Sequence, residues 1–284
     1  MEEVPALPDD VLDLGRRLIP RPVFVIGCAR SGTSILGEAI AAHPDVAYVF
    51  ELSSLWNELV DEGDDHRLTA SDATPDVART AYAALAEAAQ RVGGSVLVEK
   101  NPKHVLRLPF LDALFPHARF LHIVRDGRDV VASLMFRNRG ARWGHLQVPG
   151  WRELLAAHRD DNHVRCAHQW RIAIETARSD GARLGERYAE MRYEDLVGDP
   201  PATLERVFAF IGLGVAETVL AFSRKIQDAT AGSYHARRQV RHYVENHRRR
   251  VGRFRENLSG EQIAAVEAVS GSVLRELGYL EAEP

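Results

Sequence analysis

The chain has 284 residues, of which 45% are hydrophobic and 27% charged, and its formal net charge is −4. Those proportions belong to a globular protein rather than a disordered one. The slight acidity gives no overall basic character of the kind a nucleic-acid binder carries. No apolar run approaches the roughly 20 residues that a membrane span requires. The N-terminus, MEEVPALPDD, is acidic and lacks the apolar core of a signal peptide. Cys28 and Cys166 form neither a metal-ligand spacing nor a disulfide framework. The expectation is a single domain over residues 1–284 in a reducing, cytoplasmic compartment, with no membrane or nucleic-acid partner and no metal.

In chain order, VFVIG at 23–27 reads as a buried parallel strand. Residues 31–42 follow with Ile35, Leu36, Ala39 and Ile40 at helical spacing, ended by His43-Pro44-Asp45. VAYVF at 46–50 predicts a second strand with Glu51 at its C-terminal end. Residues 77–91 predict an alanine-rich amphipathic helix, and SVLVEK at 95–100 a third strand. A helix over 103–115 stops at Pro116, RFLHIV at 119–124 is a fourth strand, and a helix runs from Gly127 to Arg137. From about Trp151 the chain is mostly helical, with one strand at 190–193. The class is therefore α/β, a P-loop-like parallel sheet flanked by helices with a mostly helical C-terminal half.

In a parallel sheet, ligands sit outside the carboxyl ends of the strands. Four predicted strands end in notable groups: the loop Gly27–Ser34, Glu51, Glu99-Lys100 and Arg125-Asp126. The loop GCARSGTS keeps Gly27, Gly32 and Ser34 of a nucleotide P-loop, but Thr33 stands where the lysine would be. Its backbone N–H groups and helix N-terminus still suit a phosphate. The cation has moved to Arg30, which fits a donor with one 5′-phosphate and a sulfate better than a triphosphate. In the segment RFLHIVRDGRDVVASLMFR, Ser133 and Arg137 share a helix face, and with Arg125 they are placed to bind a second anion through charge-assisted hydrogen bonds. A surface helix with ordinary arginines would account for that segment taken alone.

The loop RSGTS, the segment VEKNPK and the segment VRDGRDVVASLMFR, in this order and spacing, resemble the PAPS-dependent sulfotransferase family. (PAPS is 3′-phosphoadenosine 5′-phosphosulfate; PAP is the product left after transfer.) The similarity is greatest to tyrosylprotein sulfotransferases and their bacterial relatives. It spans about residues 22–279 and is specific in the first 137. The resemblance implies that Arg30, Ser31, Gly32, Thr33 and Ser34 hold the 5′-phosphosulfate, and that Arg125, Ser133 and Arg137 hold the 3′-phosphate. MRYEDL places Tyr193 near the nucleotide, and RRRVGRFRENLS supplies Arg253 to the segment that closes over it. Two departures are Cys28-Ala29, where the family often has proline, and Phe254, where it often has tryptophan.

Sulfuryl transfer asks for in-line placement, a base at the acceptor and a cation at the leaving oxygen. Glu51, at a position where the resembled family has a glutamate base, is the expected base. Lys100 and Arg30 are the expected cations. Glu58 and His104 are weaker candidates for the base, and Asp126 reads as a helix cap. The acceptor is an unidentified hydroxyl compound, a small molecule in preference to a protein tyrosine. Trp56, Trp143 and Trp151 either face it or belong to the core. Two rival readings are a P-loop kinase, opposed by the missing lysine, and a nucleotide-binding protein without catalysis, opposed by Glu51 and Lys100.

Overall fold

Val23–Ile26 forms β1, buried on both faces as an all-apolar run should be. The computed structural model describes residues 6–59, 65–135, 143, 146–227 and 247–281. The other strands are β2 (Val46–Phe50), β3 (Val96–Lys100), β4 (Arg119–Val124) and β5 (Tyr188–Arg192). All pair in parallel, in the order β2-β3-β1-β4-β5. The predicted strands recur within a residue or two. The fifth starts earlier, at Tyr188, and ends at Arg192, because Tyr193 already opens a helix over Tyr193–Gly198.

The helix expected over 77–91 runs Pro75–Val92. Thr74 caps it by accepting from the Val77 amide at 3.3 Å, and Pro75 occupies its first turn, where no amide is needed. The helix expected over 103–115 is broken at Arg107 into a 3₁₀ turn, Pro102–Leu106, and a helix, Leu108–Leu114. Pro109 has no amide to donate back to Val105, so one continuous ladder cannot form. Helices at Asp9–Leu18 and Ser53–Leu59 were not expected from the sequence. The first is fixed by a close approach: a Cβ at Gly15 would stand 2.6 Å from the Tyr82 ring of helix Pro75–Val92.

Strand alternation sorts the core. Val23, Val25, Val98, Leu121 and Ile123 face helices Thr33–Ala41, Pro200–Ile211 and Glu217–Gln227. Phe24, Ile26, Leu97 and Phe120 face the opposite layer, which includes Pro75–Val92 and Leu108–Leu114. Beside it, helices Gly127–Met135, Asn162–Gly181 and Gly260–Glu276 enclose Val124, Val130 and Trp170. Phe24 packs within 5.4 Å of Phe115 and 5.7 Å of Phe120, ring centroid to centroid. Truncation of such a residue costs about 3–5 kcal/mol.

The topology positions the site. The chain leaves β1 toward β2 on one side of the sheet and leaves β4 toward β5 on the other. The reversal falls between β1 and β4, which are adjacent, so their carboxyl ends open a crevice rather than being bridged by a crossover.

Candidate functional site

The loop after β1 is built from unusual backbone. The Ser31 amide donates to the Cys28 carbonyl at 3.0 Å, Arg30 has φ 76° and Gly32 has φ 102°. Gly32 is required twice over. Its φ favours glycine, and a Cβ there would stand 3.0 Å from Tyr193 Cε2 and closer still to Cδ2. Helix Thr33–Ala41 begins at the next residue, so its N-terminal amides open onto the loop. Ser31 is fully buried, and its hydroxyl has no hydrogen-bond partner among the described residues. Thr33 is buried and Ser34 half-buried.

Arg30 joins the loop to the second predicted anion site. Its Nε donates to Ser133 Oγ at 2.9 Å, across to helix Gly127–Met135. Arg125, at the end of β4, is 6% exposed and donates to the Arg30 carbonyl at 3.2 Å and the Arg250 carbonyl at 2.5 Å. Its guanidinium lies 4.5 Å from the Tyr193 ring centroid and 3.3 Å from Asp129, while its Nε has no hydrogen-bond partner among the described residues. A cavity of about 280 Å³ opens here, lined by Arg30, Arg125, Asp129, Ser133, Arg250 and Arg253 among others. Among the described residues, four arginines line it with one carboxylate, so its field favours a polyanion. Asp129 also accepts from the Gly252 amide at 2.8 Å and the Phe254 amide at 2.9 Å, which ties residues 252–254 to the helix.

Tyr193 backs the loop. Its hydroxyl meets His247 Nδ1 at 2.9 Å, and burial pushes its pKa up to about 12. Arg137 lies outside the described residues. Arg250, Asp129 and His247 were missed from the sequence. The signal for Arg250 was the run 248–250, but which of three adjacent arginines turns inward is decided by the 3₁₀ turn His247–Arg250. Asp126 caps helix Gly127–Met135, accepting from the Arg128 amide at 2.9 Å.

Glu51 and Lys100 are not in the lining of this cavity; they meet at the carboxyl ends of β2 and β3, on the same edge of the sheet as the loop after β1. β2 and β3 are neighbours in register, Phe50 beside Lys100, and the Glu51 amide donates to the Lys100 carbonyl at 2.8 Å. Glu51 has φ 41°, unusual for a non-glycine residue, and its carboxylate accepts from Lys100 Nζ. Lys100 is 1% exposed, and its ammonium sits 4.1 Å from the Phe50 ring centroid. Burial lowers the Lys100 pKa, with the Glu51 carboxylate opposing that shift. The Glu51 side chain remains 34% exposed and so is open to an acceptor.

The weaker candidates for the base do not share the place. Glu99 and His104 lie on the opposite face of the sheet. There His104 Nε2 is 2.7 Å from a Glu99 oxygen, and Trp56 donates to the other at 3.3 Å. His104 is fully buried between Phe24 and Trp56, and Glu58 is an exposed residue of helix Ser53–Leu59. Trp56 is core, at 1% exposure. Trp143 and Trp151 pack together with ring centroids 6.1 Å apart.

Residues 22–217 match the model of the sulfotransferase family. Protein-tyrosine sulfotransferase 1 of Danio rerio is 28% identical over 70% of this chain and 55% of its own length. The Mycobacterium tuberculosis omega-hydroxy-beta-dihydromenaquinone-9 sulfotransferase Stf3 is 32% identical over 53% of this chain and 38% of its own. The chain thus spans about half the length of the first relative and less of the second. Among solved structures, the sulfotransferase domain from the curacin biosynthetic pathway aligns with TM-score 0.53 and 14% identity, covering 88% of this chain and 96% of that one. Mouse sulfotransferase SULT7A1 complexed with PAP aligns with TM-score 0.52 and 14% identity, covering 95% and 90%. Both share the fold. The family match covers more than half of the 284 residues, and by it this chain belongs to the sulfotransferase family.

Proposed function

We propose that the protein transfers a sulfuryl group from PAPS to a hydroxyl of an acceptor. The observation that carries this reading is the convergence of Arg30, Arg125, Ser133, Arg250 and Arg253 on one cavity at the β1–β4 crevice, with the Glu51–Lys100 pair on the same edge of the sheet. A P-loop kinase would need a lysine where Thr33 stands. The SULT7A1 structure, with the same fold, holds PAP.

In this scheme the loop from Arg30 to Ser34 receives the 5′-phosphosulfate on backbone amides and the Ser31 hydroxyl. Arg125 and Ser133, with Arg137, take the 3′-phosphate. Tyr193 fixes the loop from behind, and Arg253 closes the cavity from the late segment. Glu51 takes the acceptor's hydroxyl proton as the new oxygen–sulfur bond forms, an effect usually worth about 10²–10⁴-fold. Lys100 then donates a hydrogen bond to the bridging oxygen as its bond to sulfur breaks, and Arg30 offsets charge on the transferring group. The resting Glu51–Lys100 pair is self-consistent with these roles, because proton capture by Glu51 releases Lys100 for the leaving group.

The acceptor is read as a small hydroxyl compound. The relatives' names divide between protein tyrosine and a hydroxylated menaquinone, so transfer must be tested on both classes. The deciding experiment measures thermal stabilisation by PAP, AMP and Mg·ATP, followed by transfer from ³⁵S-labelled PAPS to a cell extract and to tyrosine peptides. PAP should stabilise most, with about 2.7 kcal/mol added at 100 times its Kd. Equal shifts from PAP and AMP would remove the 3′-phosphate site, and stabilisation by Mg·ATP alone would favour a kinase.

A further inference from the structure

The sheet face under helix Thr33–Ala41 holds a second carboxylate that the transfer scheme leaves unused. Along β2 and β3, Tyr48, Phe50, Val98 and Lys100 fall on this face, with Tyr48 beside Val98 and Phe50 beside Lys100. The helix lies close on them at Gly37, where a Cβ would stand 2.7 Å from Tyr48 Cζ. The next residue, Glu38, is 1% exposed. Among the described residues, neither its Oε1 nor the Tyr48 hydroxyl has a hydrogen-bond partner. A carboxylate buried in this way is sustained by a nearby positive charge or it is protonated. Among the described residues, Lys100 is the cation that pulls the Glu38 carboxyl down. Lys100 in turn is faced by Glu51 from the turn after β2, by Glu99 of its own strand and by Glu38 from the helix. Glu99 is engaged on the opposite face with Trp56 and His104. Tyr48 is the other titratable group beside Glu38.

We propose that Glu38 is a positioning residue for sulfuryl transfer, the counter-charge that keeps buried Lys100 protonated once Glu51 has taken the acceptor's proton. The inference rests on the roles of Glu51 and Lys100 given above. In the transfer step the acceptor O–H proton passes to Glu51, the acceptor oxygen bonds to sulfur, and the sulfur–oxygen bond to the 5′-phosphate breaks with its electron pair on the bridging oxygen. Lys100 keeps its proton and donates a hydrogen bond to that oxygen. Glu51 is then neutral and no longer offsets the ammonium, which burial disfavours. Glu38 remains, on the helix whose first turn forms the phosphate loop. Burial raises its carboxyl to about 7 against the pull of Lys100, so each group favours the charged form of the other while burial opposes both.

The chain has three lysines, Lys100, Lys103 and Lys225, so the Lys100 ammonium can be followed by NMR of lysine-labelled protein and assigned by its loss in Lys100→Arg. Glu51→Gln mimics the neutralised base. In that background, adding Glu38→Gln should lower the Lys100 midpoint further, by about one pH unit or more, and Glu38→Asp should restore part of the shift. An identical midpoint with and without Glu38 overturns the proposal. Should the double variant not fold, the reciprocal measurement decides in the otherwise native chain. Lys100→Met should raise the Glu38 carboxyl midpoint seen by ¹³C NMR, and an unmoved Glu38 overturns the proposal equally. A protein that PAP stabilises no more than AMP loses the donor assignment instead, and the Lys100 titrations still read the coupling.

Discussion

Ser133→Ala should separate the two halves of the proposed nucleotide site. In the folded protein the Ser133 hydroxyl accepts from Arg30 Nε at 2.9 Å and lines the cavity. Removing it deletes one hydrogen bond to a charged donor, worth about 1.5–3 kcal/mol in the bound complex if the hydroxyl also meets the 3′-phosphate. That predicts roughly a 10- to 150-fold loss in PAP affinity. In the proposed scheme the 5′-phosphate rests on the loop's backbone amides and the Ser31 hydroxyl, which the substitution leaves in place, so AMP should lose several-fold less. Fold stability should fall only by about 1 kcal/mol, since Ser133 is half-buried and Arg30 can turn to solvent. Calorimetric titration of PAP and AMP into both proteins gives the two ratios. Equal losses for PAP and AMP would mean that Ser133 serves only to hold Arg30, and an unchanged PAP affinity would remove it from the site.

Glu51→Gln should bind PAP as well as wild type, or slightly better, and lose on the order of 10²-fold in turnover; normal turnover would show that Glu51 is not the base. Gly32→Ala should abolish PAP binding and destabilise the fold by about 1–3 kcal/mol in denaturant titration, because the new Cβ meets the Tyr193 ring; a native-like variant would refute the packing argument. The Glu38 carboxyl is raised from 4.5 to about 7 in the folded state, so the folded protein holds that proton more tightly than the unfolded chain. The stability this contributes is complete below pH 4.5 and lost as pH rises through 7. The stability of wild type relative to Glu38→Gln should therefore fall by roughly 2–3 kcal/mol between pH 5 and 8, and a flat difference would place Glu38 in an environment like water.

Much of this was legible in the chain itself. Apolar runs at 23–27, 46–50, 95–100 and 119–124, each closed by a turn, can only be buried parallel strands once helical spacing separates them. Their polar ends named Arg30, Glu51, Lys100 and Arg125, because a parallel sheet brings its carboxyl ends to one edge. Strand order is different. It depends on which face each crossover helix covers, so only the fold placed β1 beside β4 and opened the crevice there. The same holds for the face each residue takes. Glu99 and Lys100 are adjacent in sequence, yet the pleat sends one to His104 in the core and the other to Glu51 at the site. Glu38 was not singled out from the sequence. Its burial in the field of Lys100 joins a helix to a strand some 60 residues later, and such long-range placement leaves no local pattern to read.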